Sequence, residues 1–239
     1  MQRGQEKEIK GFTDIHAHFL YDLDDGAKNQ REMEAMLDAA HREGIATLYA
    51  TPHTTPGVQP FDGALYTQRL EEARSYCRKK GYEVRLNTGA EILCTPALER
   101  YARERRLYTL GQSDLVLIEF MPDIALSSMK EAIGLLERSG YKPVLAHMER
   151  YQCLFHGRNA WQLKRESSGL YQLNAEAVIE GRGPFRNLYI RNWLRDGLID
   201  FVASDAHDCR HRPFRIAQAY QNLQQSFGLQ TAMRLTGLS

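Results

Sequence analysis

The stretch FTDIHAHFLYDLDDGA, residues 12 to 27, sets His16, His18, Asp22, Asp24 and Asp25 in an apolar frame. Asp14, His16 and His18 alternate with Ile15, Ala17 and Phe19. On a strand, both histidines leave one face roughly 7 Å apart, a spacing that suits two ligands of one metal ion. Further along, apolar runs keep closing on residues of the same kind. One ends at His53, others at Glu91 and Glu119, another at His147 with Arg150 just after, and the last at Asp205 and His207. The donor set is imidazole and carboxylate without thiolate, which suits Zn²⁺, Fe²⁺ or Mn²⁺. It exceeds the needs of one ion, so two or three divalent ions are expected, with Glu91 as a bridge. Metals a few ångströms apart can clamp both oxygens of an in-line phosphoryl displacement.

Scattered ligands need a frame that brings them together. The runs FTDIHAH, IATLYATPH, EVRLNTGAEI, SDLVLIEF, KPVLAHMER, LYQLNAEAV and IDFVASDAH are of strand length and rich in Val, Ile, Leu or Tyr. Helical patterns lie between them. In NQREMEAMLDAAHREG, Met33, Met36, Leu37 and Ala40 recur at helical spacing and Gly44 follows as a stop. LYTQRLEEARSYCRKKG, SSMKEAIGLLERSG and PFRIAQAYQNLQQSFG read likewise. Seven strands alternating with helices predict a parallel α/β fold. A distorted seven-stranded β/α (TIM-like) barrel is favoured, because no dinucleotide glycine motif supports an open doubly wound sheet. In such a barrel the carboxyl ends of the strands make one face, where active sites form.

The chain has 239 residues, near the roughly 250 of a β/α barrel, and 43% are hydrophobic. Its formal charge is +1, from 31 basic and 30 acidic residues. No basic excess points to nucleic acid. The four cysteines, Cys77, Cys94, Cys153 and Cys209, form no C-x-x-C pair. A thiolate zinc site and a disulfide scaffold are therefore not expected. Residues 1–11 form a charged extension, expected to be flexible, and lack the apolar run of a signal peptide. No apolar run approaches the roughly 20 residues that cross a bilayer. The expectation is a cytoplasmic protein, without membrane insertion, whose residues 12–239 form a single domain. His41, His156 and His211 read as solvated or structural histidines.

A competing motif is CTPALER, which places Cys94 five residues before Arg100. Cysteine-dependent phosphatases use a C-x5-R loop whose amides cradle phosphate while a thiolate attacks. Here Pro96 has no amide proton to give. Glu99 repels phosphate, and the loop holds no glycine.

The motifs DIHAH, DDGAK, ATPH, GAEI, LIEF, AHMERY and SDAH followed by RP, in that order, resemble the PHP (polymerase and histidinol phosphatase) superfamily. More narrowly, LDDGAK and AHMERY are similar to the bacterial PHP-type protein-tyrosine phosphatases of capsule and exopolysaccharide operons, the CpsB/YwqE type. The resemblance runs from about residue 12 to about residue 225. It implies a distorted barrel with three metals, most readily manganese. The first ion would take His16, His18, Glu91 and Asp205. The second would take Glu91, Glu119 and His147, and the third Asp25, His53 and His207. Arg150 and Arg212 match the family's phosphate-binding arginines, with Arg210 as an alternate. Asp24 is expected to position a ligand or water, or to serve as proton donor.

The implied reaction is hydrolysis of phosphotyrosine in a protein, by attack of a metal-bound hydroxide. The implied partner is a bacterial tyrosine kinase with a tyrosine-rich tail. A tyrosyl oxygen, with a pKa near 10, leaves without a strong general acid. Histidinol-phosphate phosphatase is the nearest alternative, and a superfamily nuclease or a catalytically silent metal-binding scaffold are others. Phe61, Met121 and Phe214 are candidates for a phenyl slot. The loop around Trp161 is expected either to cap the pocket or to begin a helix. Relatives imply a further helix beyond TAMRLTGLS.

Overall fold

A computed structural model describes residues 11–181 and 183–238. The expected charged extension lies outside the described residues, apart from Gly11.

The seven predicted strand segments all form, and every pairing between them is parallel. The first is β1 (Phe12–Ala17). The second is broken at Thr51 and Pro52 into β2 (Ile45–Ala50) and β3 (His53–Thr54). The third is broken at Gly89 and Ala90 into β4 (Arg85–Thr88) and β5 (Glu91–Leu93). Then come β6 (Leu115–Glu119), β7 (Lys142–Leu145), β8 (Leu170–Asn174) and β9 (Phe201–Ala203). Pairing runs β1-β2-β4 in one part of the sheet and β3-β5-β6-β7-β8-β9 in the other. Because β2 continues into β3 and β4 into β5, the two parts make one curled sheet. Its free ends meet where Ala17 bridges Ala206. There Asp205 N–H donates to His16 O at 2.9 Å, and His18 N–H donates to Ala206 O at 2.8 Å. The result is the distorted seven-stranded ring that the sequence predicts.

Alternation along the strands sorts side chains between two cores. On β6, Val116 and Ile118 face the outer helices, while Leu117 joins Ile15, Val144 and Ala203 inside the ring. The next inward residue of β6 is Glu119. The apolar interior thus forms a floor, and polar strand ends sit above it. In β1 the pairing with β2 shifts between Asp14 and Ala17. Ile15 and His16 therefore both face inward, although they are sequence neighbours.

Among the described residues the helices are α1 (Gln30–Arg42), α2 (Gly63–Lys80), α3 (Leu98–Arg103), α4 (Leu126–Arg138), α5 (Asn159–Glu166), α6 (Ala175–Ile179), α7 (Pro184–Arg195), α8 (Ile216–Phe227) and α9 (Leu229–Thr236). α1 buries Met33, Met36, Leu37 and Ala40, the four residues at helical spacing. The Asn29 side chain caps it by accepting from Glu32 N–H at 3.0 Å. Trp161 begins α5 rather than capping the site. Its indole N–H donates to Asp196 beyond the end of α7 at 3.0 Å. The carboxyl-terminal segment forms α9, which packs on β1 and β9. Among the described residues no helix is long and apolar enough to cross a membrane.

Candidate metal centre

The strand ends converge above the interior floor. His16 Nε2 lies 3.1 Å from His18 Nε2, 3.1 Å from Glu91 Oε2 and 3.3 Å from Asp205 Oδ1. His18 Nε2 lies 3.3 Å from Glu91 Oε2 and 3.6 Å from Asp205 Oδ1. Atoms bound about 2.1 Å from a shared ion lie about 3 to 3.6 Å apart, so these four donors match one coordination shell. They are the four residues expected for the first ion.

The second expected set is also together, with an addition. His147 Nε2 is 2.6 Å from Glu91 Oε1 and 3.7 Å from Glu119 Oε2. His53 Nδ1 joins them, 3.2 Å from Glu91 Oε2 and 3.1 Å from Glu119 Oε1. The other ring nitrogen of His53 reaches the third set, with Nε2 3.4 Å from Asp25 Oδ1. His207 Nε2 is 3.3 Å from the same Asp25 oxygen, and His18 completes that group. His53 and His18 therefore each touch two groups, where the sequence assigned each to one.

Polar partners fix which imidazole nitrogens face the cluster. Gln172 Oε1 accepts from His147 N–H at 2.8 Å and lies 3.2 Å from His16 Nδ1. Asp24 Oδ2 lies 2.6 Å from His18 Nδ1, and His207 Nδ1 lies 2.9 Å from Asp205 O. Each of these acceptors holds a proton on Nδ1, so Nε2 is the nitrogen aimed into the cluster and the one that ligates once any proton on it is lost. Glu91 Oε2, Asp205 Oδ1 and His207 Nε2 are buried there without a hydrogen-bond partner. Buried polar atoms ordinarily have one, so orphaned acceptors crowded against imidazole nitrogens fit cations.

The charges agree. Five carboxylates (Asp24, Asp25, Glu91, Glu119 and Asp205) surround five imidazoles. Burial alone would lower the His18 pKa, but Asp24 and Glu91 outweigh it and push it up to about 9. His53 is raised to about 9 as well, by Glu119 and Glu91 against burial. Protons thus supply part of the positive charge that ions would bring. His207 instead falls to about 4, through burial and the neighbouring His18.

Local conformation delivers these groups. Asp205 (φ 55°) and His147 (φ 31°) hold left-handed backbone at strand ends, at a cost of order 1–3 kcal/mol each. Gly26 lets the DDGA loop fold back on β1, since a Cβ there would meet His18 O at 2.0 Å. Asp24 accepts from His53 N–H at 2.9 Å and from Gly26 N–H at 2.9 Å. Burial works against its ionisation, yet the His18 bond and these amides hold its pKa down to about 2. Such a group stays ionised and positions its neighbours. Asp14 lies apart from the ligands and accepts from Ser204 N–H across the seam at 3.1 Å.

Arg150 Nη2 donates to Asp205 Oδ2 at 2.5 Å and Arg212 Nη2 at 2.8 Å. Both side chains are part-exposed, and Arg212 Nη1 also lies 3.8 Å from Asp25 Oδ2. Arg210 is exposed, with its backbone N–H turned to Asp208. Of the proposed phenyl-slot residues, Phe214 is buried in the outer core and Met121 is exposed. Phe61 lines a cleft that includes His53. His41 is only part-exposed, with its ring stacked on Tyr82.

Cys94 is no nucleophile. Burial and the nearby Glu119 push its thiol far above the ordinary range, and Arg100 sits exposed on α3.

Two site residues escaped the sequence reading. Gln172 Nε2 donates to Asn174 Oδ1 at 2.8 Å, and Asn174 Nδ2 donates to Asp205 Oδ2 at 2.8 Å. An amide relay thus ties His16 to Asp205. The available signal was their spacing, two apart on the one strand whose end carries no ligand.

Residues 12–237 match the family described as capsular polysaccharide synthesis, CpsB/CapC. The chain belongs to this family. The CpsB/CapC chain is 28% identical over 228 residues to the tyrosine-protein phosphatase CpsB of Streptococcus pneumoniae, covering 93% of each. It is 29% identical over 223 residues to the tyrosine-protein phosphatase YwqE of Bacillus subtilis (strain 168), covering 93% of this chain and 88% of YwqE. A solved structure from work on YwqE of Bacillus subtilis and CpsB of Streptococcus pneumoniae, described as unique metal-dependent tyrosine phosphatases, superposes with a TM-score of 0.84. That match has 29% identity and covers 94% of this chain and 91% of the other.

Proposed function

We propose that this chain is a metal-dependent protein-tyrosine phosphatase of the CpsB/YwqE type, built as one domain over residues 12–239. Family membership and the described activity of its relatives support the reaction. The observation that carries the metal is the set of orphaned buried acceptors, Glu91 Oε2 and Asp205 Oδ1, gathered against the Nε2 atoms of His16 and His18.

His16, His18, Glu91 and Asp205 would hold one ion; Glu91, Glu119 and His147 a second; Asp25, His53 and His207 a third. Manganese is the favoured ion, with iron or zinc as alternatives that the imidazole and carboxylate donors accept equally. When bound, such ions supply Lewis acidity and an activated water for attack on phosphorus. The chain's own groups do the rest. Arg150 and Arg212 flank the opening, and their guanidinium forks bind phosphoryl oxygens and steady the charge of the transition state. Asp205 Oδ2 holds both forks in place. Asp24 and Gln172 keep Nδ1 of His18 and His16 protonated, so that only Nε2 can ligate. The tyrosyl oxygen leaves without a strong acid, since its pKa is near 10.

The substrate is a tyrosine-phosphorylated protein of capsule or exopolysaccharide synthesis, and a bacterial tyrosine kinase is the favoured partner. Four free thiols support a cytoplasmic setting. The test offers Mn²⁺-loaded protein a phosphotyrosine peptide, a phosphoserine peptide and histidinol phosphate side by side. Fast release from phosphotyrosine, lost in His147→Ala and kept in Cys94→Ser, supports the reading. Faster turnover of histidinol phosphate would move the enzyme to small phosphomonoesters.

A further inference from the structure

A cleft of about 770 Å³ opens beside the metal centre, between the 57–61 loop and the segment 100–108. It shares Gln59, Pro60 and Phe61 with a smaller cleft of about 170 Å³ that contains His53. The two therefore lie side by side, on either side of this loop. Gly57 lies four residues past His53, so the larger cleft begins within about 14 Å of the centre.

Its walls are built rather than loose. Thr95 Oγ1 donates to Pro56 O at 2.7 Å, which ties the loop to the segment before α3. Gly57, at φ 77°, lies so close that a Cβ would sit 2.5 Å from Ala97 Cβ. Phe61 and Tyr108 meet edge-on with centroids 4.7 Å apart. The charge is one-sided. Arg100, Arg105 and Arg106 line the cleft and, among the described residues, no acidic side chain does. Arg100 and Arg106 both lie over the ring of Tyr101, at 5.5 and 4.3 Å from its centroid. Arg106 pairs with Glu104 outside the cleft at 2.9 Å. Among the described residues Arg100 and Arg105 have no carboxylate partner. Two guanidiniums on one ring make this wall cationic, and an anion entering the cleft is attracted to it.

We infer that this arginine cleft is a second subsite, which binds an anionic side chain on the same extended peptide that presents its phosphotyrosine to the metal centre. The inference rests on the phosphotyrosine reading of that centre. An extended chain advances about 3.3 Å per residue, so the anion sits about three to five residues from the phosphotyrosine. A carboxylate and a second phosphate share the needed chemistry.

The test measures fluorescence anisotropy with the metal-loaded, full-length protein. The peptides carry a non-hydrolysable phosphonate in place of phosphotyrosine. Flanks three to five positions away, on either side, are neutral, acidic (Asp and Glu), phosphorylated or basic. The cleft predicts about three- to tenfold tighter binding of at least one anionic-flanked peptide than of the neutral one, with the preference shrinking at high salt. The carboxylate and phosphate arms tell which source is preferred. Arg100→Gln with Arg106→Gln abolishes the preference, and Arg100→Glu with Arg106→Glu turns it toward basic flanks. Turnover of p-nitrophenyl phosphate, which has no flanks, stays unchanged in the Gln variant. Equal binding of neutral and anionic flanks, or a preference that survives both variants, overturns the subsite. Failure of the parent to hydrolyse any phosphotyrosine substrate would instead sink the phosphatase reading, while anisotropy still decides the cleft.

Discussion

Replacing Asp24 with asparagine separates its two expected roles, positioning group and proton donor. Asp24 Oδ2 lies 2.6 Å from His18 Nδ1 and accepts from His53 N–H at 2.9 Å, while Oδ1 accepts from Gly26 N–H at 2.9 Å. Asparagine can keep an oxygen on one side only. Either way its NH₂ opposes an N–H that had an acceptor. A charge-assisted bond worth about 1.5–3 kcal/mol becomes a neutral one worth about 1 kcal/mol, and one donor loses its partner. A total near 2 kcal/mol corresponds to about 30-fold, inside the 10- to 100-fold that partners of metal-ligating histidines carry. Metal affinity should fall by that factor for the ions His18 and His53 touch. The assay follows phosphate release against Mn²⁺ concentration for a phosphotyrosine peptide and for p-nitrophenyl phosphate, whose phenol is the better leaving group. Positioning predicts a right-shifted metal curve and losses of equal size for both substrates. A loss that persists at saturating metal, and is larger for the poorer leaving group, would refute it and make Asp24 the acid.

Other perturbations test neighbouring parts of the site. Gln172→Leu strands the His147 N–H and the Asn174 carbonyl in a fully buried place, so urea unfolding should register a loss of about 2–4 kcal/mol. Arg150→Ala should lower kcat/KM about 100- to 1000-fold in metal-saturated enzyme, and Arg150→Lys should recover little because it lacks the fork. Cys94→Ser should retain activity within about twofold, since a half-buried thiol held neutral plays no part in this chemistry. His18 and His53, raised to about 9, are protonated in metal-free protein at pH 7. Loading metal should then release about two protons per chain, read as buffer-dependent heat in calorimetry, and affinity should rise with pH up to about 9. By the same sign, the metal-free protein keeps this stabilisation below pH 6.5 and loses it as pH rises through about 9.

The strands were legible because each is a short apolar run, six of the seven closing on a histidine or carboxylate, and a parallel ring puts all such ends on one face. α1 was legible from Met33, Met36, Leu37 and Ala40, whose spacing is the helix period. α7 was not, because its sequence PFRNLYIRNWLR scatters arginines among its apolar residues. The slip in β1 that turns Ile15 and His16 the same way depends on pairing with β2, which no local pattern encodes. Glu91 was placed as a bridge from its central strand, and it does contact His16, His18, His53 and His147. The double contact of His53 was hidden, since both ring nitrogens matter and sequence names only the ring. Gln172 and Asn174 were passed over because amides are poor ligands, and their work is to hold other residues still.

The most direct test of the metal account titrates chelated protein with Mn²⁺ while following phosphate release from a phosphotyrosine peptide, with Glu91→Gln alongside. The account predicts no release without metal, recovery as two or three equivalents bind, and no recovery in Glu91→Gln, which takes the charge from a carboxylate shared by two groups. Undiminished release from the chelated protein, or a fully active Glu91→Gln, would contradict it.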